Sequence, residues 1–236
     1  MPVLLLARGD QPSRTLLRRA IEARYGLGAP ALETCKLEVK GRARAKIGPV
    51  ATWVTLEGTS YLKFPFLLRW NFSMRPAGVA ITSSALAFDG EVARRRDGKD
   101  RVTVVEGAAE AVSMRARLWA VCAALLTPLT EHYVELKTID ARSFEARHTE
   151  AKIAARLHLH DDDTLDFTAT ECLNPASGTQ ETFTLQLSDG QTMFGDLMMP
   201  RKIAVLWGDQ AEIEIAPVKA ECNIPLDDSL FRLESD

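Results

Sequence analysis

The chain has 236 residues, 46% hydrophobic and 26% charged, with a net charge of −3. That length buries a substantial core, and the slightly acidic balance argues against a surface built for nucleic acid, which carries a basic excess. No apolar run approaches the ~18 residues of a membrane-spanning helix. The N-terminus "MPVLLLARGD" does not read as a signal peptide, because its apolar run is short and its basic charge, Arg8, follows that run.

In chain order, "QPSRTLLRRAIEARYG" predicts a helix, with Ser13 as its cap, an apolar stripe at Leu16, Leu17, Ala20 and Ile21, and Gly26 to end it. "GAPALE" is expected to add a helical turn. From Lys36 the period changes to two. "KLEVKGRARAKIG" places Leu37, Val39, Gly41, Ala43, Ala45 and Ile47 on one register and Lys36, Glu38, Lys40, Arg42, Arg44 and Lys46 on the other. Turns are expected at Gly48-Pro49, Gly58, Pro76-Ala77-Gly78, Asp89-Gly90 and Asp97-Gly98. Between them "PVATWVTLEG", "YLKFPFLLRWNFSM" and "GVAITSSALAFDG" read as strands, and "EVARRRDGKDRVTV" as a hairpin. A plug helix over about 106–126 follows, apolar around most of its second half and closed by Thr127-Pro128. The remainder reads as strands at roughly ten-residue spacing, from "HYVELKTI" to "AEIEIAPVKAEC" and a short closing strand "DDSLF". No linker divides the chain, so one domain over 1–236 is expected. The fold class is mainly β with α (α+β): a large antiparallel sheet of about ten or eleven strands that must curl, with a helix in its concavity.

Motifs of chemistry are sparse. There is no G-x-S-x-G, Walker loop or G-x-G-x-x-G. "HLHDDD" sets His158 and His160 beside Asp161, Asp162 and Asp163, a donor set that zinc or iron accepts, but the aspartates also suit a strand-ending turn. The basic stripe has no interleaved aromatics for base stacking and is interrupted by Glu38, as on the wet face of a strand. Four widely spaced cysteines, Cys35, Cys122, Cys172 and Cys222, show no CxxC and read as small buried residues; two disulfides stay open in an oxidising compartment.

Three stretches, "AFDGE", "GDLMMPRKI" and "IPLDDSLF", resemble turn and packing motifs of the LolA/LolB-like superfamily of lipoprotein-localisation factors. With the helix–strand–helix order, the resemblance spans about residues 13–231. It implies an unclosed half-barrel around one or two helices whose concave face holds acyl chains, and a periplasmic location; a chain starting at Met1 without a signal would instead stay in the cytoplasm. The expected function is that of a non-enzymatic carrier for a lipid, acyl chain or lipidated protein, with no cofactor and no metal. Its expected partners are a lipid or lipidated protein and peripheral membrane contact, with no nucleic acid and a monomeric state. Apolar residues beside the plug helix are the candidate pocket: Val39, Ala43, Ala45, Trp53, Trp70, Phe72, Phe88, Trp119, Leu125, Phe194 and Met198. The alternatives are a scaffold with a self-filled barrel acting through its outer surface, and a metal-dependent enzyme using His158 and His160.

Overall fold

The structure, a computed structural model, describes residues 6–75, 82–98, 101–105 and 107–233. It opens with a short strand β1 (Arg8–Gly9) and helix α1 (Gln11–Tyr25). The cap of α1 is Asp10, not Ser13: its carboxylate accepts the Ser13 N–H at 2.8 Å, while Ser13 is buried and donates its hydroxyl to the Asp10 carbonyl at 3.0 Å. Pro12 sits in the first turn, where a backbone N–H would have no partner. Leu16, Leu17, Ala20 and Ile21 are buried as their spacing predicts, and Gly26 ends the helix at φ 58°. Residues 29–33 add no helical turn, because Pro30 lacks an N–H and steers Ala29 away from helical backbone.

Six strands follow: β2 (Thr34–Ile47), β3 (Val50–Lys63), β4 (Leu67–Arg75), β5 (Thr82–Phe88), β6 (Ala93–Asp97) and β7 (Thr103–Val105). Helix α2 (Ala108–Leu125) leads into β8 (Val134–Thr138), β9 (Ser143–His148), β10 (Ile153–Leu159), β11 (Leu165–Leu173), β12 (Gln180–Phe194), β13 (Leu197–Trp207) and β14 (Gln210–Cys222). The stretch expected as one strand, "YLKFPFLLRWNFSM", is split by a turn at Phe64–Phe66, where Pro65 removes a ladder donor. Gly58 is not a turn but lies inside β3. The closing "DDSLF" is a 3-10 turn, Asp228–Phe231, capped by the Asp227 carboxylate on the Ser229 N–H at 2.8 Å. The expected turn at 76–78 lies outside the described residues.

All strands form one 14-stranded sheet in the order β1-β8-β9-β10-β11-β12-β13-β14-β2-β3-β4-β5-β6-β7. Pairing is antiparallel throughout except β1–β8, where Arg8 and Glu135 pair in parallel. The sheet is therefore two meanders, β2–β7 and β8–β14, joined where the last strand of the chain meets its first long one. The sheet curls around α2. One side of α2, with Trp119, Ala120 and Ala123, packs with α1 on β8–β12; the other, with Met114, Leu118 and Leu125, packs on β2, β3, β5, β6 and β13. A helix wrapped on both sides needs the all-round apolar surface read from its sequence.

Candidate functional site

Strand pairing sorts every residue onto the concave or the convex face. Cys35, Leu37 and Val39 of β2 are buried against Met114, Leu118 and Leu125 of α2, which fixes the odd positions as concave. Following the register across β3, β4 and β5 gives three transverse rows: Cys35–Leu62–Leu68–Phe88, Leu37–Ser60–Trp70–Leu86 and Val39–Gly58–Phe72–Ser84. In the first row Phe88 is fully buried, whereas Trp70, Phe72 and Leu86 in the next two are half-buried.

Gly58 makes the geometry of these rows. Trp70 lies over β3 so closely that a Cβ on Gly58 would stand 2.8 Å from Trp70 Nε1 and 3.1 Å from Phe72 Cβ. The Trp70 and Phe72 rings sit 4.5 Å apart. The indole N–H of Trp70 is buried and has no acceptor, an unfavourable state that costs about 1–3 kcal/mol for a buried donor. The same face ends in a polar rim, where Ser84 donates its hydroxyl to Asp97 at 2.7 Å and Arg95 Nε donates to it at 3.0 Å. Burial pushes the Asp97 carboxyl up, but the Ser84 hydroxyl and Arg95 more than offset it and leave it below its ordinary value.

The candidate pocket residues divide by face. Val39 and Ala43 are buried and Ala45 half-buried on the concave register, with Ala43 opposite Ile213 of β14. Phe88, Trp119 and Leu125 are core, and Trp119 donates its indole N–H to the Ala146 carbonyl at 2.8 Å. Phe194 packs beside the α2-facing cluster. Trp53 is placed elsewhere: it pairs with Arg44, and the Arg42 guanidinium lies 4.6 Å from its ring, so it belongs to the convex basic face. Met198 also alternates out, between the buried Leu197 and Met199 and opposite the exposed Met193. The basic stripe itself is paired across strands: Lys36 lies 3.6 Å from Glu221, Lys40 3.7 Å from Glu57, and Arg42 2.9 Å from Glu214.

The "HLHDDD" donors are dispersed among local contacts. His158 Nδ1 lies 2.8 Å from the Ser143 hydroxyl, Asp161 pairs with Arg142, Asp162 accepts the Thr164 N–H at 3.1 Å, and Asp163 accepts from Arg19 Nε at 2.9 Å. Among the described residues, no group of three or more His, Cys, Asp or Glu side chains is placed to hold a metal ion.

Two recesses were not foreseen. One of about 480 Å³ lies at β2–β6 and is lined from both registers, by the rows Glu38–Thr59–Asn71–Ala85–Arg96 and Lys40–Glu57–Ser73–Ser83 and by the row Val39–Gly58–Phe72–Ser84. The larger, about 1070 Å³, runs over β9–β13 between Glu145, Arg156, Ala169, Thr184 and Leu206 and reaches the start of α2 at Ala108 and Val112. The signal for the second was the run of small residues on a polar register, Ala154 and Ala169 with Thr182 and Thr184, which leaves a strand face low.

No family model and no curated protein matches the chain. Solved structures do. A LolA superfamily protein from Nitrosomonas europaea superposes with a TM-score of 0.51 at 13% identity, over 94% of this chain and 97% of that one. A DUF1329 family protein from Desulfovibrio piger gives 0.49 at 12% identity, over 94% and 98%. A putative outer membrane lipoprotein-sorting protein domain from Vibrio parahaemolyticus gives 0.47 at 9% identity, over 92% and 97%. With its curled α+β half-barrel and a superposition that spans almost the whole of both chains, this protein has a LolA-like fold.

Proposed function

We propose that this chain is a non-enzymatic carrier that shelters an apolar ligand, namely a lipid, an acyl chain or a lipidated protein, against the concave rows beyond α2. The observation that carries the reading is the half-buried Trp70–Phe72 pair, whose buried indole N–H lacks an acceptor. An ester or carboxyl oxygen of an amphiphile supplies that acceptor, while its chain lies along Phe72 and Leu86 and its polar end meets the Ser84–Asp97–Arg95 rim. Burial of the chain drives binding at about 25 cal/mol per Å², less the cost of ordering the complex. The carrier acts as one half-barrel unit over 1–236, as a monomer, in the periplasm, and releases its cargo by brief contact with a membrane surface.

The test combines native mass spectrometry and organic extraction of the purified protein with quenching by a fatty acid carrying a spin label on its chain. The expected result is saturable quenching that disappears in Trp70→Phe, and weakened binding in Phe72→Asp. A second reading, that the ligand lies in the 1070 Å³ recess, rests on that recess being the larger. It predicts that Thr184→Arg blocks binding and Phe72→Asp does not. No saturable quenching and no extractable lipid would sink both.

A further inference from the structure

We infer that Cys35 and Cys222 form a thiol pair that closes to a disulfide across the β2–β14 seam, an oxidation site that stands apart from the carrier reading. The two residues face each other directly in the ladder. Their pairing type follows from the neighbours. The Asn223 N–H donates to the Thr34 carbonyl at 2.9 Å, so positions 34 and 223 are a hydrogen-bonded pair and the next one in, 35 and 222, is a non-hydrogen-bonded pair. That is the closer of the two antiparallel arrangements, with Cα atoms about 4.5 Å apart and side chains on one face. It falls inside the roughly 4.4–6.8 Å that a disulfide spans.

The surroundings divide the roles. Cys35 is 2% exposed, while Cys222 is half-buried and reachable from outside. Cys222, the partner that solvent and an oxidant reach, supplies the thiolate; the contact between the two sulfurs, which lowers its thiol and raises that of Cys35, acts in the same direction. Cys122 and Cys172 stand on α2 and β11, away from this ladder; Cys122 is fully buried, its thiol pushed up by burial and donating to the Pro65 carbonyl at 3.4 Å.

The oxidant is a disulfide, R–S–S–R. The Cys222 thiolate attacks one of its sulfurs, forms a mixed disulfide and expels one thiolate, which takes up a proton. Cys35 then loses its proton, attacks the Cys222 sulfur and expels the second R–S⁻, which is protonated in turn. Two protein thiols are oxidised and one disulfide is reduced to two thiols. The new bond staples the first meander to the second at the seam.

The full chain is incubated with glutathione disulfide, alkylated and peptide-mapped. The expected product is a Cys35–Cys222 linked peptide with Cys122 and Cys172 free, and a higher Tm than the reduced form. In the reduced protein Cys222 alkylates on the order of tenfold faster than Cys122 or Cys172. Cys35→Ala halts at a mixed disulfide on Cys222, and Cys222→Ala leaves Cys35 unmodified. A folded wild-type protein that forms no bridge, or bridges to Cys122 or Cys172 instead, overturns the proposal. The wild-type map decides it even if a variant fails to fold.

Discussion

The Asp10 carboxylate accepts the Ser13 N–H and also both the N–H and the hydroxyl of Thr138, so a single side chain caps α1 and ties it to β8. The Thr138 hydroxyl, with these N–H groups, holds the carboxyl well below the usual carboxylate range. A carboxyl with a lower pKa when folded than unfolded stabilises above its unfolded value near 4, and that contribution is lost as pH falls below it. Asp10→Ala should therefore lower the urea midpoint at pH 7, and the gap to wild type should close in acid; a gap independent of pH would refute the assignment. His148 works through the opposite charge. It is buried between Tyr133 at 4.6 Å and Phe66 at 5.0 Å, its Nδ1 accepts the Ala151 N–H at 3.2 Å, and burial pushes its pKa down. The unfolded chain then takes up a proton near pH 6.5 that the folded one refuses, so stability falls as pH drops below that value. His148→Gln should flatten that limb of the stability profile. Gly58→Ala should cost about 1–3 kcal/mol by forcing a methyl into the Trp70 indole and the Asn71 carbonyl, and should shift the Trp70 emission. Trp53 shows how a face is misassigned: Val54 and Leu56 alternate with Thr55 and Glu57, so the apolar register of β3 passes Trp53 by. Its aromatic character hid its position on the polar register, where Arg42 covers it.

At the level of elements, α2 is pinned to the sheet by three side-chain bonds at different heights. Ser113 donates to the Leu173 carbonyl at 2.7 Å, Trp119 to Ala146 at 2.8 Å, and Thr168 from β11 to the Ala120 carbonyl at 3.0 Å. Its C-terminal end receives the Arg24 guanidinium on the Ala124 carbonyl and the Tyr25 hydroxyl on Leu125 at 3.2 Å, a cation set against the negative end of the helix dipole. Thr168→Val keeps the shape and removes one bond, so it should cost about 1 kcal/mol in urea unfolding; a neutral result would mean that packing alone holds the helix. The existence of both helices and most strands was legible because each carries its own period: Leu16, Leu17, Ala20 and Ile21 for α1, and Leu37, Val39 and Ala43 for β2. What was not legible depended on neighbours distant in sequence. The bulge between Ser188 and Gln191 resets the register of β12 against β13, so no local pattern could say that Met199 turns inward and Met198 outward. Gly58 looked like a turn because the Trp70 it accommodates comes from the next strand.

The whole molecule is organised by the seam where β14 meets β2, which joins segments from opposite ends of the sequence. Half of the sheet cannot be completed until the last long strand is made. Removing residues 210–236 deletes β14 and strips β13 and β2 of a shared partner, so the truncated chain should lose its cooperative urea transition. A cooperative transition retained at a similar midpoint would show that each meander folds without the other. The 14-strand total exceeds the expected ten or eleven; at its two ends stand β1 and β7, of two and three residues, of which β1 is too short to leave a period in the sequence.

Those two strands carry a consequence of their own. A half-barrel that does not close keeps two free edges, and a long free edge is a template on which another chain can extend the ladder into a fibril. Among the described residues the row stops at Arg8–Gly9 on one side and at Thr103–Val105 on the other. Gly9 adopts φ 147° and presses so close to β8 that a Cβ would meet the Leu136 carbonyl at 2.3 Å. The half-barrel can stay open without offering its neighbours enough backbone to polymerise on.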